Sequence, residues 1–162
     1  MAIVYLGLGS NADVETNLHR AVAALREQFS DIELSPVYRS PPLGFDGDDF
    51  LNLVVRFSTD TTPGELLDYF ETLHEQAGRV RGHDKFVSRP LDIDLLLYGD
   101  VVDPEPPLRL PRRDILEHSF VLRPLAELAP DLVHPVTGSS MRDLWREFDA
   151  ANHPLQAVDI IL

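Results

Sequence analysis

Cysteine is absent from the chain and lysine nearly so: of fourteen basic side chains, thirteen are arginine. The first absence excludes disulfides, thiolate metal sites and thiol nucleophiles together. The second leaves a set of cations built from planar forks, which grip carboxylate and phosphate oxygens in pairs. Positive charge is itself scarce. The formal balance is −13, which argues against nucleic acid or an anionic membrane as a general partner. No apolar run approaches the roughly 18 residues of a membrane span. Met1-Ala2-Ile3-Val4-Tyr5-Leu6 carries neither a basic leader nor a long apolar region, so no signal peptide is expected. A cytoplasmic enzyme fits these absences. What is present is 162 residues with 44% hydrophobic content, enough for one domain, 1–162, with a sizeable core.

The most telling segment is Arg89-Pro90-Leu91-Asp92-Ile93-Asp94-Leu95-Leu96-Leu97-Tyr98-Gly99. Strand side chains alternate, so Asp92 and Asp94 share one face while Leu91, Ile93 and Leu95 share the other. Two neighbouring carboxylates in a partly dry setting repel and resist joint ionisation unless a cation sits between them. A hard divalent ion that takes oxygen ligands, Mg²⁺ above all, suits that place. Seven of the fourteen cations (Arg79, Arg81, Lys85, Arg89, Arg109, Arg112 and Arg113) fall within 35 residues around the pair. Such a cluster in an acidic chain points to a small, phosphate-bearing anion.

Periodicity gives the frame. Residues 2–9 read as a strand, and a helix follows from about Asp13 to Phe29, with Leu18, Val22, Leu25 and Phe29 on one face. Residues 32–39 read as a second strand, 41–49 as a Pro- and Gly-rich loop, and 50–57 as a third strand. Thr62-Pro63-Gly64-Glu65 is a helix start with N-cap, N1 proline and capping-box glutamate. That helix turns Leu66, Leu67, Phe70, Leu73 and Ala77 inward and stops at Gly78. A polar loop over 79–88 leads to the Asp-pair strand at 90–98. Helical patterns return at about 113–128 and 141–148. The predicted class is α+β, a ferredoxin-like β-α-β-β-α-β core with a predominantly antiparallel sheet, plus C-terminal helices. Gly7-Leu8-Gly9-Ser10-Asn11-Ala12 also matches the short dinucleotide fingerprint. The next two strands, however, follow without a crossover helix, against a doubly wound fold.

Several motifs stand in one order along nearly the whole chain: Tyr5-Leu6-Gly7-Leu8-Gly9-Ser10-Asn11, Tyr38-Arg39-Ser40-Pro41-Pro42-Leu43-Gly44, Phe50-Leu51-Asn52, Gly78-Arg79-Val80-Arg81, the Asp-x-Asp strand, and Leu122-Arg123-Pro124-Leu125-Ala126-Glu127-Leu128-Ala129-Pro130. In that order and spacing the chain resembles the 6-hydroxymethyl-7,8-dihydropterin pyrophosphokinases of folate biosynthesis. The resemblance implies a ferredoxin-like fold and transfer of diphosphate from ATP to the pterin's hydroxymethyl oxygen, releasing AMP. It implies that Asp92 and Asp94 bind two Mg²⁺ ions, and that Arg79, Arg89, Arg112 and His118 act in catalysis. Leu67, Glu71, His74, Arg81, Lys85 and Leu95 are implied to bind ATP. Ser40, Leu43, Phe50, Asn52 and Phe120 are implied to bind the pterin, the two phenylalanines by stacking. The implied partners are these two small molecules, and the implied state is a monomer.

The chain also departs from the family pattern. Phe86-Val87-Ser88-Arg89 stands where Trp-Gly-Pro-Arg is usual, and His74 stands where a glutamate or similar polar residue is usual. Arg112 aligns with the family's active-site histidine and His118 with its arginine, so the pair is exchanged. A weakly catalytic paralogue that binds pterin or nucleotide, or a kinase of a related pterin, stays open at this point.

Overall fold

Alternation along β1 (Ala2–Ser10) sorts the molecule into two layers. In the computed structural model, which describes residues 1–44, 46–78 and 89–162, Val4, Leu6 and Leu8 face one side of the sheet. Tyr5 faces the other, and alternation places Gly7 and Gly9 there with it. Then come α1 (Val14–Gln28), β2 (Glu33–Leu34), β3 (Val37–Ser40), β4 (Phe50–Thr59), α2 (Pro63–Gln76) and β5 (Asp92–Tyr98). Beyond them lie α3 (Asp114–Glu117), α4 (Ser119–Leu128), α5 (Met141–Glu147), a 3₁₀ turn at Ala150–Asn152 and β6 (Gln156–Val158). All strand pairs are antiparallel, in the order β5-β1-β4-β3-β6 with β2 also on β4. With β2 and β3 taken as one interrupted strand, the core order is fourth, first, third, second. This is the expected ferredoxin-like α+β architecture.

The first layer packs Leu18, Val22 and Leu25 of α1 and Leu66, Phe70 and Leu73 of α2 onto Leu6, Leu53, Val55 and Leu95. The second packs Val121, Leu122 and Leu125 of α4 and Met141 of α5 onto Tyr5, Val54, Leu96 and Leu97. Each such fully buried side chain contributes about 1.5–3 kcal/mol. The α2 start is as predicted: the Thr62 hydroxyl accepts from the Glu65 amide, and the Glu65 carboxylate accepts from the Thr62 amide. No helix among the described residues is long and apolar enough to cross a membrane.

Three expectations need correction. The predicted strand at 32–39 is two strands, because Pro36 has no N–H for the ladder. At the break the Ser35 amide donates to the Val54 carbonyl and the Ser35 hydroxyl accepts from the Val54 amide, at 2.9 and 2.8 Å. Pairing runs Glu33↔Arg56 before the break and Tyr38↔Asn52 after it, so one extra residue sits in the second strand. The predicted helix at 113–128 is divided at His118, which is extended (φ −126°, ψ 126°), closes α3 and opens α4. β6 was not foreseen; it pairs along β3 at Val37↔Val158. Arg79, Arg81, Lys85 and Phe86-Val87-Ser88 lie outside the described residues.

Candidate active site

Gly7 and Gly9 leave the second layer without side chains at one end of the sheet, and a cavity of about 340 Å³ opens there. β5 lends it Asp92, Asp94 and Leu96; β4 lends Phe50, Asn52 and Val54. Ser40, Pro41 and Leu43 form one rim, and Arg112, Asp114, His118 and Phe120 form the opposite wall, with Arg89 at the mouth. The cross-strand register sets Asp92 opposite Gly9 and Asp94 opposite Gly7. Each carboxylate therefore overlooks bare backbone, where a ligand can approach closely. Leu96 is the extra residue of a bulge opposite Tyr5 and Leu6, and it closes the floor beneath Gly7.

Each acid has an arginine beside it. Arg89 Nη1 donates to Asp92 Oδ2 at 3.2 Å, and Arg112 Nη2 stands 3.4 Å from Asp94 Oδ1. Arg112 Nε stands 3.4 Å from Asp114 Oδ2, buried and without a hydrogen bond among the described residues, and the Arg112 amide donates to the Leu96 carbonyl at 3.0 Å. Asn11 anchors Arg89: its side-chain oxygen accepts from the Arg89 amide, and its own amide donates to the Arg89 carbonyl. The Asn11 Nδ2 group donates to the Asp48 carbonyl at 3.4 Å. One buried asparagine thus links β1, the approach to β5 and the 41–49 loop.

The rest of the cavity suits a flat polar heterocycle. Asn52 Nδ2 donates to the buried Ser40 hydroxyl at 2.9 Å, which fixes the plane of the amide. A Cβ added at Gly9 would lie 2.8 Å from Asn52 Oδ1, so glycine there is what leaves the amide room. Phe120 lies parallel to the His118 ring, centroids 4.9 Å apart and planes 8° from each other. Phe50 lines the wall at the start of β4. Leu43 is half exposed on the rim. The cavity thus brings together Ser40, Leu43, Phe50, Asn52, Arg89, Asp92, Asp94, Arg112, His118 and Phe120, as anticipated.

The residues expected at ATP on α2 and β5 are placed elsewhere. Leu67, Glu71, His74 and Leu95 are not in the cavity lining. Leu95 is 2% exposed and packs in the first-layer core, so its side chain is structural. Buried His74 accepts the Ile93 amide on Nε2 at 2.9 Å and meets the Glu71 carboxylate through Nδ1 at 3.1 Å. Its ring holds the peptide between the two aspartates. Leu67 packs against the same core. Sequence reasoning missed Asn11, Gly9 and Asp114 as site residues. The Gly-Ser-Asn turn could have signalled the first two, and nothing in the sequence marks the third.

Two carboxylates on one strand fit a magnesium ion that draws its other ligands from phosphate and water. Among the described residues there is no cluster of three or more His, Cys, Asp or Glu able to enclose a metal by itself.

Residues 5–130 match the family model of 7,8-dihydro-6-hydroxymethylpterin-pyrophosphokinase. The chain belongs to this family. It is 38% identical to the 2-amino-4-hydroxy-6-hydroxymethyldihydropteridine pyrophosphokinase of Haemophilus influenzae, over 96% of the chain and 97% of that protein. Against the enzyme of the same name from Methylorubrum extorquens the identity is 39%, covering 92% and 95%. Among solved structures, the HPPK-DHPS protein of Plasmodium falciparum with pteroate aligns with TM-score 0.72 at 13% identity, over 90% of this chain and 44% of that one. That likeness speaks for the fold. Arg112 and His118 both line this cavity.

Proposed function

We infer that the chain transfers diphosphate from ATP to the hydroxymethyl group of 6-hydroxymethyl-7,8-dihydropterin, releasing AMP, in folate biosynthesis. Membership of the pyrophosphokinase family over residues 5–130 carries this reading. The cavity supports it by offering an acidic pair with arginines, an amide–hydroxyl pair and two phenylalanines in one lining. In the transfer the pterin hydroxyl oxygen forms a bond to the β-phosphorus of ATP. The bond from that phosphorus to the α–β bridging oxygen breaks, AMP leaves with that oxygen, and the hydroxyl proton passes to solvent.

Asp92 and Asp94 would hold magnesium, two ions in our reading, which supplies charge neutralisation of the triphosphate. Phosphoryl transfer asks the protein mainly for position and fixed charge. Arg89 and Arg112 supply the charge at the described end of the cavity. Arg79, Arg81 and Lys85, outside the described residues, are assigned to phosphate by resemblance. Asn52 and Ser40 read the pterin's donor–acceptor edge, and Phe50 and Phe120 flank its ring. Leu67 and Glu71 remain assigned to ATP on α2. We place the chain in the cytoplasm as a single-domain monomer.

Product analysis tests the reading. Incubation with ATP and magnesium is expected to release AMP only when 6-hydroxymethyl-7,8-dihydropterin is present. ADP release would point to simple phosphoryl transfer instead, and bound pterin without turnover would leave only a binding role.

A further inference from the structure

Arg112 contacts both Asp94 and Asp114, and both contacts are 3.4 Å long. A latched charge-assisted hydrogen bond lies near 2.7–2.9 Å, so the guanidinium is shared between two acids rather than fixed on one. Its backbone is fixed, however: the Arg112 amide donates to the Leu96 carbonyl, two residues beyond Asp94 on the same strand. The side chain can therefore exchange partners while its root stays put. Asp94 is an acid that the proposed chemistry needs bare for a metal ion, whereas Asp114 sits in the wall at the start of α3. Both Asp94 and Asp114 are partly exposed, so neither pair is sealed against rearrangement.

We propose that Arg112 is a displaceable counter-cation: it neutralises Asp94 before substrates arrive, then retreats onto Asp114 and the incoming phosphates when a divalent ion takes the carboxylate. This rests on the reading of Asp92 and Asp94 as the metal site. The arrangement suppresses metal binding in the absence of nucleotide and couples the arrival of metal to that of triphosphate. By linkage, the nucleotide is then helped by metal to the same degree. Arg112 thus acts on Asp94 as a positioning residue in the empty site and on phosphate in the loaded one.

The test titrates Mn²⁺ by electron paramagnetic resonance into the full chain, with and without a non-hydrolysable ATP analogue. Without nucleotide, Arg112→Gln is expected to bind Mn²⁺ about three- to fivefold more tightly than wild type, the range of a partly exposed ion pair. With the analogue its advantage disappears, so the coupling between metal and nucleotide shrinks. Arg112→Lys, which keeps the charge, stays near wild type. Arg113→Gln makes the same change of formal charge one residue away, on a side chain paired with Glu117, and leaves Mn²⁺ affinity unmoved. Asp114→Asn weakens Mn²⁺ binding in the wild-type background and has no effect beside Arg112→Gln, because it acts only through the arginine.

Equal Mn²⁺ affinity for Arg112→Gln and Arg113→Gln overturns the inference while leaving the proposed function standing. So does an undiminished effect of Asp114→Asn beside Arg112→Gln. Unchanged Mn²⁺ binding to Asp94→Asn with the analogue present overturns both.

Discussion

A methyl group at Gly9 would lie 2.8 Å from Asn52 Oδ1, closer than carbon and oxygen tolerate, and Asn52 is held from its other side by Ser40. Gly9→Ala is therefore expected to push the amide off its hydroxyl partner. Leaving a buried polar group poorly satisfied costs about 1–3 kcal/mol, so pterin affinity falls roughly five- to a hundredfold while ATP affinity changes little. Fluorescence titration of each ligand measures the split, and equal losses for both would show a general collapse instead. His118 makes a second residue-scale case. Its ring lies flat against Phe120, and such a pair contributes about 0.5–1.5 kcal/mol. His118→Ala is expected to raise the pterin KM roughly two- to tenfold. An unchanged KM removes His118 from the site.

At the scale of elements, α4 is fastened to β3 by a polar clasp outside the cavity. The Tyr38 hydroxyl donates to Glu127 Oε1, Arg123 Nε donates to the same oxygen at 3.2 Å, and the Arg123 guanidinium lies 4.7 Å from the centre of the Tyr38 ring. Burial, then the Glu127 carboxylate, pushes the Tyr38 hydroxyl up to about 12. The folded chain thus keeps a proton that the unfolded chain gives up near pH 10. Stability from this group is fully present below about pH 10 and is lost as pH rises toward about 12. Tyr38→Phe is expected to lower stability by about 1 kcal/mol at neutral pH and to flatten the alkaline decline in melting temperature. A variant whose alkaline decline matches wild type would mean that the clasp does not titrate. The cavity's far wall hangs from α4, so loosening the clasp is also expected to raise the pterin KM.

For the molecule as a whole, a formal charge of −13 spread over 162 residues disfavours the compact state through self-repulsion. Raising ionic strength from about 10 mM to about 150 mM shortens the screening length from about 30 to about 8 Å. The melting temperature is expected to rise over that interval in a neutral salt such as NaCl, while ATP binding at the arginine-lined mouth weakens. A melting temperature that falls instead would mean that attractive pairs outweigh the net repulsion.

Much of this organisation was legible in the chain because period and punctuation carry it. The alternation through Asp92, Ile93 and Asp94 gave the acidic face, and Thr62-Pro63-Gly64-Glu65 gave the start of α2. The resemblance placed ten side chains that do meet in one cavity. What stayed hidden depends on contacts distant in sequence. Nothing near His74 announces that its ring accepts the Ile93 amide, and nothing near Arg112 announces Asp114 as a second partner. β6, three residues long, is too short for any period to register. The division of the helix at His118 escaped notice because apolar spacing continues across it and only the backbone changes direction.

The extra residue at Ser35-Pro36 carries a consequence for how such chains can change length. Side-chain direction in a strand is a matter of odd and even, and this spot is where the count is reset so that Leu34 and Val37 both meet the core while Ser40 reaches Asn52. Removing one residue there restores ordinary alternation and leaves Tyr38 opposite Asn52 and Ser40 opposite Phe50. A single deletion between Leu34 and Val37 is therefore the length change that leaves the pterin-facing side of β3 intact.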